Sequence, residues 1–395
     1  MINKILLLPL LACKIFIIIC SATSNTQVHF SIDNANKLLP SQIVTNISQC
    51  PKLTPRKVPP KSVHDLRVDD IEIIMALGDS ITAGFGAKEQ NPKKPIDFHK
   101  FDENRGVSFV MGGDPGAVTI ANFIKYYSPL LKGPSVGDHL VELCYGIVCP
   151  PFQYKPEQDR LNAAQSGMMA SNLTMELIYL LKQLYKEPIQ DVLKSYKYLN
   201  LFIGSNDICL RCSNKLPWLS IEQFENYLLT TLEIIREKIP NTIINLLGVF
   251  NVSQVYELTR DEKYCRLRRV IGDYECSCAY MPGALGDLNR KKMDETAMEY
   301  NKAIQNVVNY YASKHSDSFA VMYQPFDLDL LTFPVDGLSS LDCFHPSLKS
   351  HEFIAKIFWN NLVLPSSKRG GPIVWNDNVG IRCFEDDDRI NTKLT

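Results

Sequence analysis

Two short stretches of this sequence carry side chains suited to acyl transfer, a serine in Gly78-Asp79-Ser80-Ile81-Thr82-Ala83-Gly84 and a histidine in Leu341-Asp342-Cys343-Phe344-His345-Pro346-Ser347. A serine hydroxyl is a weak nucleophile until an imidazole takes its proton and a carboxylate fixes that imidazole's tautomer. Ser80 follows the apolar run IEIIMAL, so its hydroxyl projects where a strand ends and a helix begins, with its own N–H facing the same space. Helix capping is the plain alternative for an Asp or Ser at such a place, and the heptapeptide alone favours neither. Three-residue spacing lets Asp342 turn back to Nδ1 of His345 while Nε2 points toward Ser80, and a bridged Cys343 would hold the pair in register. His29, His64, His99, His139, His315 and His351 read as solvated surface residues.

Gly204-Ser205-Asn206-Asp207 ends a second apolar run, YLNLFIG, and an asparagine there can aim an N–H at a tetrahedral oxyanion. Asp207 either braces that loop or competes with Asp342 as the imidazole's acid; the shared loop favours Asp342. The loop Leu161-Asn162-Ala163-Ala164-Gln165-Ser166-Gly167 is a further place for a backbone donor, or simply a helix-entry turn. A rival nucleophile, Ser135 in Gly133-Pro134-Ser135-Val136-Gly137, matches G-x-S-x-G literally. It follows SPLLK rather than a buried strand, and reads as a surface loop.

The elements that must position these residues are apolar runs of strand length at 71–77, 106–111, 198–204, 243–250 and 319–323. Between them lie amphipathic helical patterns, the best at 172–186, 221–239, 293–314 and 350–362. Continuous apolar strands separated by helices imply a mainly parallel sheet covered on both faces, a three-layer α/β/α sandwich. Ligands of such folds bind beyond the carboxyl ends of the strands, where these motifs fall.

Lys4, the apolar run 5–20 and the small residues Ser21 to Ser24 have the order of a secretory signal peptide. The run is shorter than the ~20 residues of a spanning helix and contains Pro9 and Lys14, so cleavage is expected and the mature chain has no transmembrane anchor. Residues 25–66 are polar and Pro/Lys-rich, a linker or wrapping arm; 67–365 carry the motifs, and 366–395 form a C-terminal extension. Removing Cys13 and Cys20 with the signal leaves ten of the 12 cysteines, an even number that reads as disulfides in a secreted protein. Zinc at Cys209/Cys212 with Cys276/Cys278 is the weaker reading, because no histidine lies beside them. Sequons at Asn46, Asn172 and Asn251 agree with an extracellular glycoprotein. With 42 Lys+Arg against 43 Asp+Glu and no basic block interleaved with aromatics, nucleic acid is excluded as a partner.

In their order, Gly78-Asp79-Ser80, Asn162 with its small-residue loop, Gly204-Ser205-Asn206-Asp207 and Asp342-Cys343-Phe344-His345 resemble the blocks of the GDSL or SGNH hydrolases. RGVSFVMGGD, LNAAQSG, LFIGSNDIC and DCFHPSLKSH are similar to the phospholipase B branch, and the resemblance covers residues 68–364. It implies a flavodoxin-like fold and ester hydrolysis through an acyl-serine, with neither cofactor nor metal. Ser80 would be nucleophile, His345 base and then acid, Asp342 the orienting acid, and the oxyanion donors Ser80 N–H, Ala164 N–H and the Asn206 side chain. Ala164 stands where the family usually has glycine; Gly113 is a substitute donor. The implied substrates are phospholipids and lysophospholipids, met at a lipid interface that Phe85, Phe98, Phe101 or Phe109 could touch if they do not pack in the core. The alternatives are an esterase for short-chain or carbohydrate esters and a non-catalytic lipid-binding protein of the same fold.

Overall fold

The computed structural model describes residues 42–394 apart from 90, 92, 94–100, 142–153 and 213–218, with the backbone alone for 269–274. The expected signal segment, the start of the arm, His29, Phe98, His99, Cys144 and Cys149 lie outside the described residues. Strands β1 (Ile71–Gly78), β2 (Tyr196–Phe202), β3 (Thr242–Leu247) and β4 (Phe319–Gln324) form a parallel sheet in the order β1-β2-β3-β4. The register sets Ile74 beside Tyr198, Tyr198 beside Ile243, and Ile243 beside Ala320. Their aliphatic runs are buried almost throughout, which requires cover on both faces.

That cover comes from the helices, in chain order α1 (Ser80–Ala83), α2 (Ile120–Tyr127), α3 (Leu173–Leu184), α4 (Ser205–Leu210), α5 (Ile221–Lys238), α6 (Lys263–Glu275), α7 (Gly283–Ser313) and α8 (Leu348–Asn361). α3 and α7 each pack on α5, and α2 packs on α8, so the sheet lies in the expected α/β/α sandwich. The periodic pattern beginning at Met293 marks only part of α7. The helix starts at Gly283 because Arg290 donates to the carbonyls of Ala279 and Met281 and stacks on Tyr256, anchoring a polar first turn that periodicity does not reveal.

One expected strand is absent. Residues 106–111 are buried but irregular, beginning with a 3-10 turn at Arg105–Val107 and folding back through Gly112 N–H to Ser108 O and Asp114 N–H to Gly106 O. The edge of β1 is satisfied instead by single bridges, Ile73 with Lys132 and Ala76 with Asn162. Asn162 thereby sits beside the strand that leads to Ser80.

The arm and the extension hold each other. Ile43–Val44 pairs antiparallel with Ile381–Arg382, Cys50 is bonded to Cys383, and Ile390 N–H donates to Leu66 O at 2.8 Å. Trp359 of α8 donates from Nε1 to Arg382 O and packs on Phe384, so the clasp closes over the α2–α8 layer. A bridge across 333 residues restricts the unfolded chain strongly. Cys50→Ser with Cys383→Ser is expected to lower stability by about 2–5 kcal/mol in non-reducing thermal unfolding; an unchanged midpoint would mean that the clasp does not hold the fold.

Candidate active site

The exit from β1 leaves no room for a side chain at Gly78, since a Cβ there would stand 2.5 Å from Phe202 O at the end of β2. Asp79 then caps α1, its carboxylate accepting from Ile81 N–H at 3.0 Å. Because Asp79 satisfies the cap, the Ser80 hydroxyl is available elsewhere. It lies 2.7 Å from His345 Nε2.

The histidine is held by its own loop. Asp342 accepts from the N–H groups of Phe344 (2.8 Å) and His345 (3.1 Å) through Oδ1, and its Oδ2 lies 2.7 Å from His345 Nδ1. In the neutral ring the carboxylate keeps the proton on Nδ1, so that Nε2 accepts from Ser80 Oγ–H. Cys343 adopts φ +57°, a conformation a side chain disfavours, and is bonded to Cys265 of α6. Phe85 meets the imidazole edge-on at 4.8 Å and Phe344 at 5.1 Å. Serine, histidine and aspartate are all buried. Burial favours the neutral ring, but the charges of Asp342 and Glu275 outweigh it and raise the imidazole above its ordinary range.

The structure brings the other expected groups to the same end of the sheet. Gly204, at φ +124°, turns β2 into α4, and Asn206 uses one amide hydrogen to hold Met168 O at 2.7 Å, leaving the second for another acceptor. Ala164 N–H makes a long contact of 3.3 Å to Asn162 Oδ1, while Asn162 Nδ2 donates to Thr82 O and ties that loop to α1. Gly113 is no substitute donor, because its N–H is bonded to Ser135 O at 2.7 Å. Asn206→Ala is expected to lower turnover by about 10²–10³ with little change in KM; an unchanged kcat would remove this donor from the site.

Several expectations need correction. Asp207 is not the imidazole's acid; it is buried, and its Oδ2 accepts from Ala170 N–H, with burial pushing the carboxyl up to about 7. Ser135 is not on a surface loop but buried, its hydroxyl held by the carbonyls of Arg105 and Met111. Three of the histidines expected at the surface are held by partners: His139 is paired with Asp159 at 2.9 Å, His64 bonds Thr392 and Ser316, and His351 is buried with Nδ1 accepting from Phe109 N–H. Burial lowers His351 to about 3. Asn172 is buried with its Oδ1 bonded to Met169 N–H, so the folded chain has no space for a glycan there; Asn46 is exposed. Phe109 packs on Phe326 and Phe358 in the core.

Cysteines 209 and 212 bond to Cys276 and Cys278, joining α4 and the residues after it to the segment that follows α6, as disulfides rather than zinc ligands. Three features escaped the sequence reading. Glu176 accepts from Gly78 N–H at 2.7 Å beneath the nucleophile, and burial raises it well above a carboxylate's range. Glu103, Arg105 and Asp159 form a buried ion group in which Glu103 also accepts from Ser166 N–H and Oγ. Glu275 approaches His345 from α6. Among the described residues, Glu275, Asp342 and His345 are a trio whose ligand-type atoms lie within 4.8 Å of one another, but the Asp342–His345 hydrogen bond occupies the atoms a cation would need.

The GDSL-like Lipase/Acylhydrolase family model matches residues 74–358. "Phospholipase B1, membrane-associated" of Homo sapiens is 30% identical over 349 residues, covering 85% of this chain and 22% of that protein. The Rattus norvegicus protein of the same name is 27% identical over 343 residues, with the same two shares. This chain therefore spans 22% of the length of those curated relatives. Among solved structures, an acetylxylan esterase from Geobacillus stearothermophilus superposes with a TM-score of 0.36 at 13% identity, covering 77% of this chain and 97% of its own, too loosely to bear on substrate. Among the described residues no helix is long and apolar enough to cross a membrane.

Proposed function

Since the chain belongs to the GDSL-like lipase/acylhydrolase family, we propose that it is a secreted serine esterase of phospholipase B type, releasing fatty acids from phospholipids and lysophospholipids. The observation that carries this reading is the unbroken contact from Ser80 Oγ through the His345 ring to Asp342, 2.7 Å at each step. Ser80 Oγ attacks the acyl carbon while its proton passes to Nε2. The carbonyl electrons move onto oxygen, which Ser80 N–H, Ala164 N–H and Asn206 Nδ2 stabilise. Collapse breaks the ester C–O bond, and the leaving glycerol oxygen takes the Nε2 proton. Water, deprotonated by the same ring, then attacks the acyl-serine, and the fatty acid departs as the proton returns to Oγ.

The lipid preference is supported by the likeness to proteins named phospholipase B1 and by Phe85 and Phe344 beside the imidazole. Export is supported by the leader-like first 24 residues and by four disulfides among the described residues. In this reading residues 67–365 form the hydrolase domain, embraced by the arm and the extension. Only the neutral ring accepts the serine proton, and its neighbours raise its pKa. Activity should therefore fall on acidification with a midpoint above the ordinary imidazole value of about 6.5. A kcat/KM profile flat through that region would contradict the role of His345. Substrate class is tested on dispersed phosphatidylcholine, lysophosphatidylcholine and soluble short esters; turnover confined to the short esters would replace the phospholipase with a general esterase.

A further inference from the structure

Glu275 takes no part in the proton relay, yet it approaches the Nδ1 side of His345 from outside the histidine's own loop. It ends α6 with Oε1 3.9 Å from His345 Nδ1, while its Oε2 is sealed from solvent without a hydrogen-bond partner. Its position is fixed from two sides. Cys265–Cys343 ties the first turn of α6 to the residue after Asp342, and Cys209–Cys276 ties the residue after Glu275 to the helix bearing Asn206. The two bridges hold the backbone that carries Glu275 against the histidine loop.

We infer that Glu275 is a positioning residue that sets the basicity of His345: protonated, it leaves the ring free to act as a base, and ionised, it places a second negative charge beside Nδ1 that holds the proton on the ring. The inference rests on the hydrolase reading for its consequence in catalysis but not for its electrostatics. The groups that face the ring are Asp342 from its own loop, Asp79 ahead of α1, Glu275 from α6 and His351 from α8. His351 is kept neutral by burial and contributes no charge at ordinary pH. Arg268 lies two turns before Glu275 on the same side of α6. Burial and the Asp342 charge both raise Glu275, while Asp342 and Glu275 raise His345 against its own burial. One proton is thus contested between two sites, and protons leave the pair in two shared steps.

The test follows the His345 ring nitrogens by NMR across pH in the wild type and in Glu275→Gln, which keeps the size and removes the charge. The wild-type ring should titrate in two steps; the variant should titrate in one, displaced to lower pH by about one to three units. A single wild-type step, or a variant curve superposing on the wild type, overturns the inference. If Glu275→Gln does not fold, the number of steps in the wild type decides alone. Fluorophosphonate labelling of Ser80 in the same samples separates the two claims. Absence of labelling in the wild type would defeat the hydrolase reading, whereas normal labelling with an unmoved ring titration would defeat only the role of Glu275.

Discussion

His345→Ala is expected to reduce turnover of lysophosphatidylcholine by about four to six orders of magnitude, to the level left by the oxyanion donors and substrate binding alone. The ring is the group within hydrogen-bond reach of Ser80 Oγ that can take and return a proton. The fold should survive, because the loop keeps its Cys343 bridge and the Asp342 bonds to backbone. Single-turnover release of fatty acid, with circular dichroism as the control for folding, measures the effect. The exposed His315 supplies the comparison, and its replacement by alanine should leave the rate unchanged. A loss of less than tenfold in His345→Ala would exclude this ring as the base.

The second large effect is on stability. Arg105 is fully buried between Glu103 and Asp159, to which it is ion-paired, and it also donates to Asn162 O at 3.3 Å. Arg105→Ala removes the cation shared by two buried carboxylates and leaves them His139 alone as a basic neighbour, a change that typically removes about 3–5 kcal/mol and should lower the thermal midpoint by several degrees or more. Glu103 holds Ser166, and Asn162 holds Ala164, so the protein that remains folded should also lose turnover through a loosened oxyanion loop. Neutralising all three residues together with groups of similar size should be less destabilising than Arg105→Ala alone, since no buried carboxylate is left without its cation and His139 can stay neutral. Equal losses would show that packing, not charge pairing, dominates at this place.

The parts of the site that were legible in the sequence share one property: each lies just after an apolar run or within a few residues of its partner. Ser80 and Asn206 follow β1 and β2 directly, and Asp342 with His345 fits one loop. Glu275 gave no such signal. In CRLRRVIGDYECSC it is one polar helix residue among many, and only the disulfides that carry α6 to the histidine loop make it part of the site. The same limit explains residues 106–111, whose apolar character reported burial correctly while saying nothing of direction, and Ser135, whose turn-forming neighbours concealed a buried hydroxyl. His139 and His351 differ from the exposed His315 only through contacts with residues distant in sequence, which no local pattern encodes.

The central claim, that Ser80 is made nucleophilic by the groups gathered around it, is measured most directly by treating the wild type and Ser80→Ala with a fluorophosphonate and mapping the adduct by mass spectrometry. The account predicts one adduct, on the wild-type peptide containing Ser80, and none on the variant. Equal labelling of both proteins, or an adduct on another serine, would contradict it.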